Sequence, residues 1–203
     1  MPEPRSDLIA AAQYFYTQGW MLGTAGNLSA RLPNDSFWIT ASGKSKGSLG
    51  LEDFVLIHPN GRVEASGNLK PSAETAIHQT LYTRFPTAQA CYHVHSVEAN
   101  LVSRFGETDR IILPPLEMLK GFGIKAENPH CETAVFANHP EVSRIATEIE
   151  RRFKNDAPQI PALLIRDHGL TVWAASTEEA RNFVELMEYI FRYMVIARQL
   201  QKR

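Results

Sequence analysis

The sequence predicts an α/β fold in one domain spanning residues 1–203, on three observations. Helical and extended patterns alternate along the chain, with no linker long or biased enough to divide it and no internal repeat. A length of 203 residues, 44% hydrophobic and 21% charged, suits one substantial core. A long helical C-terminus and several amphipathic helices argue against an all-β jelly roll, the other architecture that would accommodate the histidine pair described below.

The elements follow in order. Asp7 is placed to cap a first helix running to Gln18, with Leu8, Ala11, Ala12 and Phe15 on one face and Gly19 as its stop. Short strands over 28–32, 37–40 and 54–58 are separated by Gly/Ser clusters at 23–27 and 42–48. Ser72 opens a helix carrying Glu74, Ile77, His78 and Leu81, and Pro86 lies beyond its end. A strand over 89–95 leads into a helix over 96–105 for which Ser96 is the N-cap. Residues 111–113 read as a short strand, 117–120 as about one helical turn and 133–137 as extended. Pro140 starts a helix with Val142, Ile145 and Ile149 at helical spacing. The apolar run 162–165 is a strand ending just ahead of His168. The last helix runs from a Thr177 cap to the C-terminus, with Glu178 and Glu179 in its first turn and Gln201-Lys202-Arg203 at its end. Phe183, Leu186, Met187, Ile190, Met194 and Ile196 give this helix core residues, with apolar surface left over for a subunit contact.

His93 and His95 lie two apart in a strand, so both imidazoles project from one face. His168, at another strand end, would complete a three-histidine site for a divalent metal with one coordination position open, the arrangement of catalytic zinc. Three imidazoles also accept iron, cobalt or manganese. Cys91 shares the parity of the pair but reads as a buried, inert thiol. His78 reads as a satisfied structural histidine, and His58, His130 and His139 as solvated or capping.

A formal charge of −1 with dispersed Lys and Arg excludes a nucleic-acid footprint. No apolar run approaches the roughly 18 residues that span a bilayer. The opening Met1-Pro2-Glu3-Pro4-Arg5 has no secretory pattern, and two cysteines make no disulfide framework. A cytoplasmic protein is expected.

Five motifs in order, Gly26-Asn27-Leu28-Ser29, Thr40-Ala41-Ser42-Gly43, Pro71-Ser72-Ala73-Glu74, His93-Val94-His95-Ser96 and His168-Gly169-Leu170, resemble those of the class II sugar-phosphate aldolases and their relatives over about residues 7–197. Residues 116–121 and 164–173 are similar to the dehydratase branch of that superfamily, which acts on 5-methylthioribulose 1-phosphate in methionine salvage. The resemblance implies a three-layer α/β/α sandwich with a central mixed, mostly antiparallel sheet. It implies one zinc per subunit on His93, His95 and His168, and a homotetramer with sites near subunit boundaries. It also implies that Glu117 is the acid/base, while Glu74 stands where the aldolases carry their catalytic glutamate. Gly26, Asn27, Ser42, Gly43 and Ser72 match the family's phosphate contacts, and backbone N–H groups and hydroxyls in such turns suit a phosphate. Lys44 and Lys46 either add charge there or sit in an exposed loop. The competing expectations are an aldolase or epimerase acting on another ketose phosphate, and a non-catalytic scaffold like the adducin head domain.

Overall fold

The computed structural model describes residues 3–106 and 109–201; Met1-Pro2 and the Lys202-Arg203 end of the expected last helix lie outside them. Among the described residues nine strands form a single sheet: β1 (Asn27–Arg31), β2 (Phe37–Thr40), β3 (Phe54–Ile57), β4 (Val63–Glu64), β5 (Ala90–Val94), β6 (Arg110–Leu113), β7 (Cys131–Phe136), β8 (Ala162–Ile165) and β9 (Gly169–Ala174). Their spatial order is β4-β3-β2-β1-β5-β9-β8-β7-β6. Only β7 and β8 pair in parallel; the other neighbours are antiparallel.

Helices α1 (Pro4–Thr17), α2 (Thr75–Arg84), α3 (Val97–Val102), α4 (Val142–Asn155) and α5 (Thr177–Leu200) cover both faces of the sheet. On one face Leu8 and Phe15 of α1, Val102 of α3 and Met187 and Ile190 of α5 pack with Tyr92, Val94 and Val172. On the other, Ile77 and Leu81 of α2 and Ile145, Ile149 and Phe153 of α4 pack with Cys91, Leu163 and Trp173. Successive residues of β5 therefore enter opposite cores, which is the period-2 rule acting in a strand covered on both sides. The expected three layers are present.

Several helix starts differ from expectation because the capping group is a neighbour of the residue the pattern points to. Glu3, not Asp7, caps α1, accepting from the Arg5 N–H; Asp7 instead takes the Thr177 hydroxyl at 3.0 Å. Helix α2 begins at Thr75, and Ser72 forms the turn before it, its hydroxyl accepting from the Glu74 N–H at 3.3 Å. Helix α4 begins at Val142 rather than Pro140, and Ser176 rather than Thr177 caps α5. Ser96 caps α3 as expected, accepting from Ala99 N–H at 2.9 Å, but that helix stops at Val102 rather than 105. The short edge strand β4 and the central strand β9 were not expected.

Glu188 on α5 is buried at 3% exposure, and neither carboxylate oxygen has a hydrogen-bond partner among the described residues. Burial pushes it up to about 8; the nearby Ser96 hydroxyl offsets part of this and the charge of Glu98 adds to it. The folded protein therefore keeps a proton that the unfolded chain releases from about pH 4.5 upward, so this group's contribution is present below that pH and is lost as pH rises toward 8. Glu188→Gln removes the loss: its stability advantage over the parent should grow with pH by up to about 1.4 kcal/mol per unit, read by urea unfolding at several pH values. A pH-independent difference would contradict this.

Candidate active site

The site forms where strand ends meet. His93 lies in β5, and His95 just beyond it is held by its N–H donating to Trp20 O at 2.8 Å. Strands β8 and β9 are joined by a tight turn in which Asp167 takes φ 55° and the His168 N–H donates to Ile165 O at 3.1 Å. The antiparallel register sets Val94 opposite Leu170, so His95 and His168, the first residues beyond the adjacent ends of β5 and β9, emerge close together. A Cβ on Gly169 would collide with the Val94 carbonyl oxygen, so only glycine allows β9 to approach β5 this closely. Gly26 has φ 72°, and a Cβ there would lie 2.7 Å from the His93 carbonyl.

The three imidazole rings stand nearly perpendicular to one another, with centroids 4.6 Å (His93–His95), 4.9 Å (His93–His168) and 4.6 Å (His95–His168) apart. Glu74, the residue before α2, completes the group: its Oε1 is 2.7 Å from His168 Nε2 and its Oε2 is 3.4 Å from His93 Nε2. One donor atom from each of the four residues falls within 4.8 Å of every other. His93 Nδ1 meets Thr171 Oγ1 at 2.8 Å, and its Nε2 is turned to the cluster, 2.7 Å from His95 Nε2.

Burial depresses His93 to about 4, outweighing the nearby Glu74 charge. Burial depresses His95 to about 3, assisted by His93 and His168. Both imidazoles are neutral at physiological pH, the form a metal requires, and the approach of His93 to Glu74 is a convergence of donor atoms rather than an ion pair. Burial by itself would raise Glu74, but His93, His168 and the Asn27 amide hold its carboxyl well below the usual range. Three imidazole nitrogens and a carboxylate oxygen are a donor set that fits a divalent metal ion.

A cavity of about 300 Å³ opens beside the cluster, lined by Glu74 and His95 together with Gly26, Asn27, Ser42, Gly43 and Ser72. All five residues expected at a phosphate thus share one cavity with two members of the cluster. The Asn27 side chain is engaged elsewhere, its amide donating to Glu74 and accepting from His78. Lys46 also lines the cavity but is no loop residue: it is 1% exposed, and its Nζ donates to Thr24 O at 2.9 Å and Lys44 O at 2.8 Å. Burial lowers it to about 8. Lys44 pairs with Asp53 at 2.7 Å.

Glu117 is placed differently. It begins the 3-10 turn Glu117–Phe122, its side chain is 80% exposed, and it pairs with Lys120 at 2.7 Å, outside the four-residue cluster. His78 is fully buried and hydrogen-bonded through both nitrogens. Cys91 is buried in the second core, and His58, His130 and His139 lie outside the cluster beside Glu64, Glu132 and Glu148. Sequence reasoning missed Thr171, which orients His93, although the alternation from His93 and the apolar run after Gly169 carried that signal.

Residues 6–195 match the family model of the class II aldolase and adducin N-terminal domain. The chain belongs to that family. Among curated members, methylthioribulose-1-phosphate dehydratase of Microcystis aeruginosa is 60% identical over 203 residues, covering 99% of both chains. The Leptospira biflexa protein of the same name is 42% identical over 197 residues, covering 93% of this chain and 94% of its own. Among solved structures, YgbL of Escherichia coli superposes with a TM-score of 0.80 at 26% identity, covering 95% of this chain and 88% of that one. L-fuculose-1-phosphate aldolase of Thermus thermophilus superposes with a TM-score of 0.78 at 23% identity, covering 98% and 97%, and shares the fold.

Proposed function

We propose that this member of the family is a metal-dependent hydro-lyase that converts 5-methylthioribulose 1-phosphate to 5-methylthio-2,3-dioxopentyl phosphate and water, a step of methionine salvage. The observation that carries this is the cluster of His93, His95, His168 and Glu74 beside a cavity lined by hydroxyl and glycine turns, in a chain 60% identical over its full length to a protein named for that reaction. When bound there, a divalent ion supplies Lewis-acid polarisation of the C2 carbonyl and C3 hydroxyl oxygens. We take the ion to be zinc, one per subunit, which the nitrogen-rich donor set accepts.

The chemistry needs a base for the C3 proton and an acid for the departing C4 hydroxyl. Both Glu74 oxygens are already engaged, Oε2 by Asn27 and Oε1 by His168, and its ionised form is strongly favoured, so it is a weak base. Glu117 is the better candidate. The C3–H electron pair moves into C2–C3 and then into C3–C4 as the C4–O bond breaks. The carboxyl returns its proton to the hydroxyl, water leaves, and the enol tautomerises to the 2,3-diketone. Gly26, Ser42, Gly43 and Ser72 hold the phosphate through N–H groups and hydroxyls, and the buried charge of Lys46 favours the dianion.

Because Glu117 faces outward, it acts on the centre of a neighbouring subunit in a homotetramer with sites at subunit boundaries. An exposed apolar stripe on α5, Tyr189, Tyr193, Ile196 and Leu200, supports such packing. Among the described residues no helix is long and apolar enough to cross a membrane, and both cysteines are free and buried, which supports a cytoplasmic setting. Metal removal tests the reading: chelated protein should leave the substrate unchanged and restored zinc should recover the dehydrated product. Equal turnover by the stripped protein would refute it.

A further inference from the structure

Behind the cluster runs a buried polar chain that the reaction itself does not use. Glu74 Oε2 accepts from Asn27 Nδ2. Asn27 Oδ1 is 2.5 Å from His78 Nε2, His78 Nδ1 is 2.6 Å from Ser29 Oγ, and Ser29 Oγ is 2.7 Å from the Tyr82 hydroxyl. All five residues are buried.

The donors and acceptors allow one direction. An amide oxygen only accepts, so His78 Nε2 carries the proton, and Nδ1 is left to accept from the Ser29 hydroxyl that faces it. Ser29 then donates to Nδ1 in preference to Cys91 O at 3.4 Å, and its oxygen receives the Tyr82 proton. Four hydrogen bonds thus run from Tyr82 to Glu74 and polarise one another along the way. At its far end Tyr82 packs on Phe37 with ring centroids 5.2 Å apart, inside the second core. A chain that ends in a core cannot deliver protons to solvent, which leaves orientation as its role.

We propose that His78 is a positioning residue: through Asn27 it holds Glu74 Oε2 beside His93 and leaves Glu74 Oε1 directed at His168. This rests on the reading of Glu74 as a member of the metal centre. Without the proton on His78 Nε2, the Asn27 amide loses the partner that sets which of its ends faces Glu74.

The test uses the full chain loaded with Co²⁺, whose visible absorption reports ligand geometry, together with Co²⁺ affinity against a competing chelator. In His78→Gln the amide nitrogen falls near the Nε2 position and can still donate to Asn27; in His78→Asn it falls near Nδ1 and cannot. His78→Gln should stay within about threefold of the parent affinity with an unchanged band, and His78→Asn should weaken binding about 10- to 100-fold and shift the band. A lowered Tm with parent affinity and band in His78→Asn would mean a merely structural histidine and overturn the proposal. Should His78→Asn fail to fold, Ser29→Ala breaks the same chain one bond earlier: a smaller loss of affinity in the same direction supports it, and none overturns it. Glu74→Gln separates the two levels. An unchanged band there removes Glu74 from the centre and both readings fall, whereas a shifted band there with an unchanged one in His78→Asn removes only the role of His78.

Discussion

His93→Ala is expected to lose its metal ion and with it turnover, by about 10⁴-fold or more in kcat/KM, equivalent to about 5 kcal/mol of transition-state stabilisation. The effect is large because His93 is the most constrained member of the cluster. It is 1% exposed, oriented from behind by Thr171, and in contact with both His95 and Glu74. Alanine leaves three donors splayed around a hole and a Thr171 hydroxyl without its partner, so added metal should restore little. Metal content after dialysis and kcat/KM at saturating zinc read the two losses separately. His95→Ala and His168→Ala should follow the same pattern. A His93→Ala protein that keeps its metal and turns over within about tenfold of the parent would remove the histidines from the chemistry.

Glu117→Gln should lower kcat by about 10²- to 10⁴-fold, the range of general acid–base catalysis, while metal content and fold are unchanged. Stability offers no rival explanation, since the exposed pair with Lys120 is worth about 0–1 kcal/mol. Position supplies the sharper test. If Glu117 serves a neighbouring centre, subunits carrying Glu117→Gln and subunits carrying Glu74→Gln, each inactive alone, should recover up to about a quarter of parental sites when co-assembled at random. Absence of recovery would place the residue in its own subunit's site, and near-normal turnover by Glu117→Gln alone would transfer the acid/base role to Glu74.

What the sequence made legible follows the range of the interactions involved. The projection of His93 and His95 from one face is a local consequence of strand parity, and it is what the structure shows. That His168 joins them is suggested by its place at another strand end and implied again by the family resemblance, while the register of β9 against β5 that fixes the meeting is a long-range feature that no local pattern carries. Resemblance likewise singled out Glu74, since a carboxylate ahead of a helix has a sufficient local explanation in the helix dipole. Lys46 shows the opposite case: in a Gly/Ser-rich stretch it has every local mark of exposure, and only the backbone carbonyls of Thr24 and Lys44 bury it. Helix starts differ by one to four residues because several neighbouring side chains are each able to cap, and tertiary contacts such as Asp7 with Thr177 choose among them. Asn27 is the clearest limit: its motif matched a phosphate contact, yet its side chain turns inward to join Glu74 to His78.

The measurement that bears most directly on the central claim is mass spectrometry of 5-methylthioribulose 1-phosphate after incubation with zinc-loaded protein, beside a chelated control. The account predicts metal-dependent loss of one water with the carbon skeleton intact. Dihydroxyacetone phosphate with methylthioacetaldehyde would instead show C3–C4 cleavage and make the chain an aldolase, and substrate unchanged in both samples would contradict the assignment of substrate altogether.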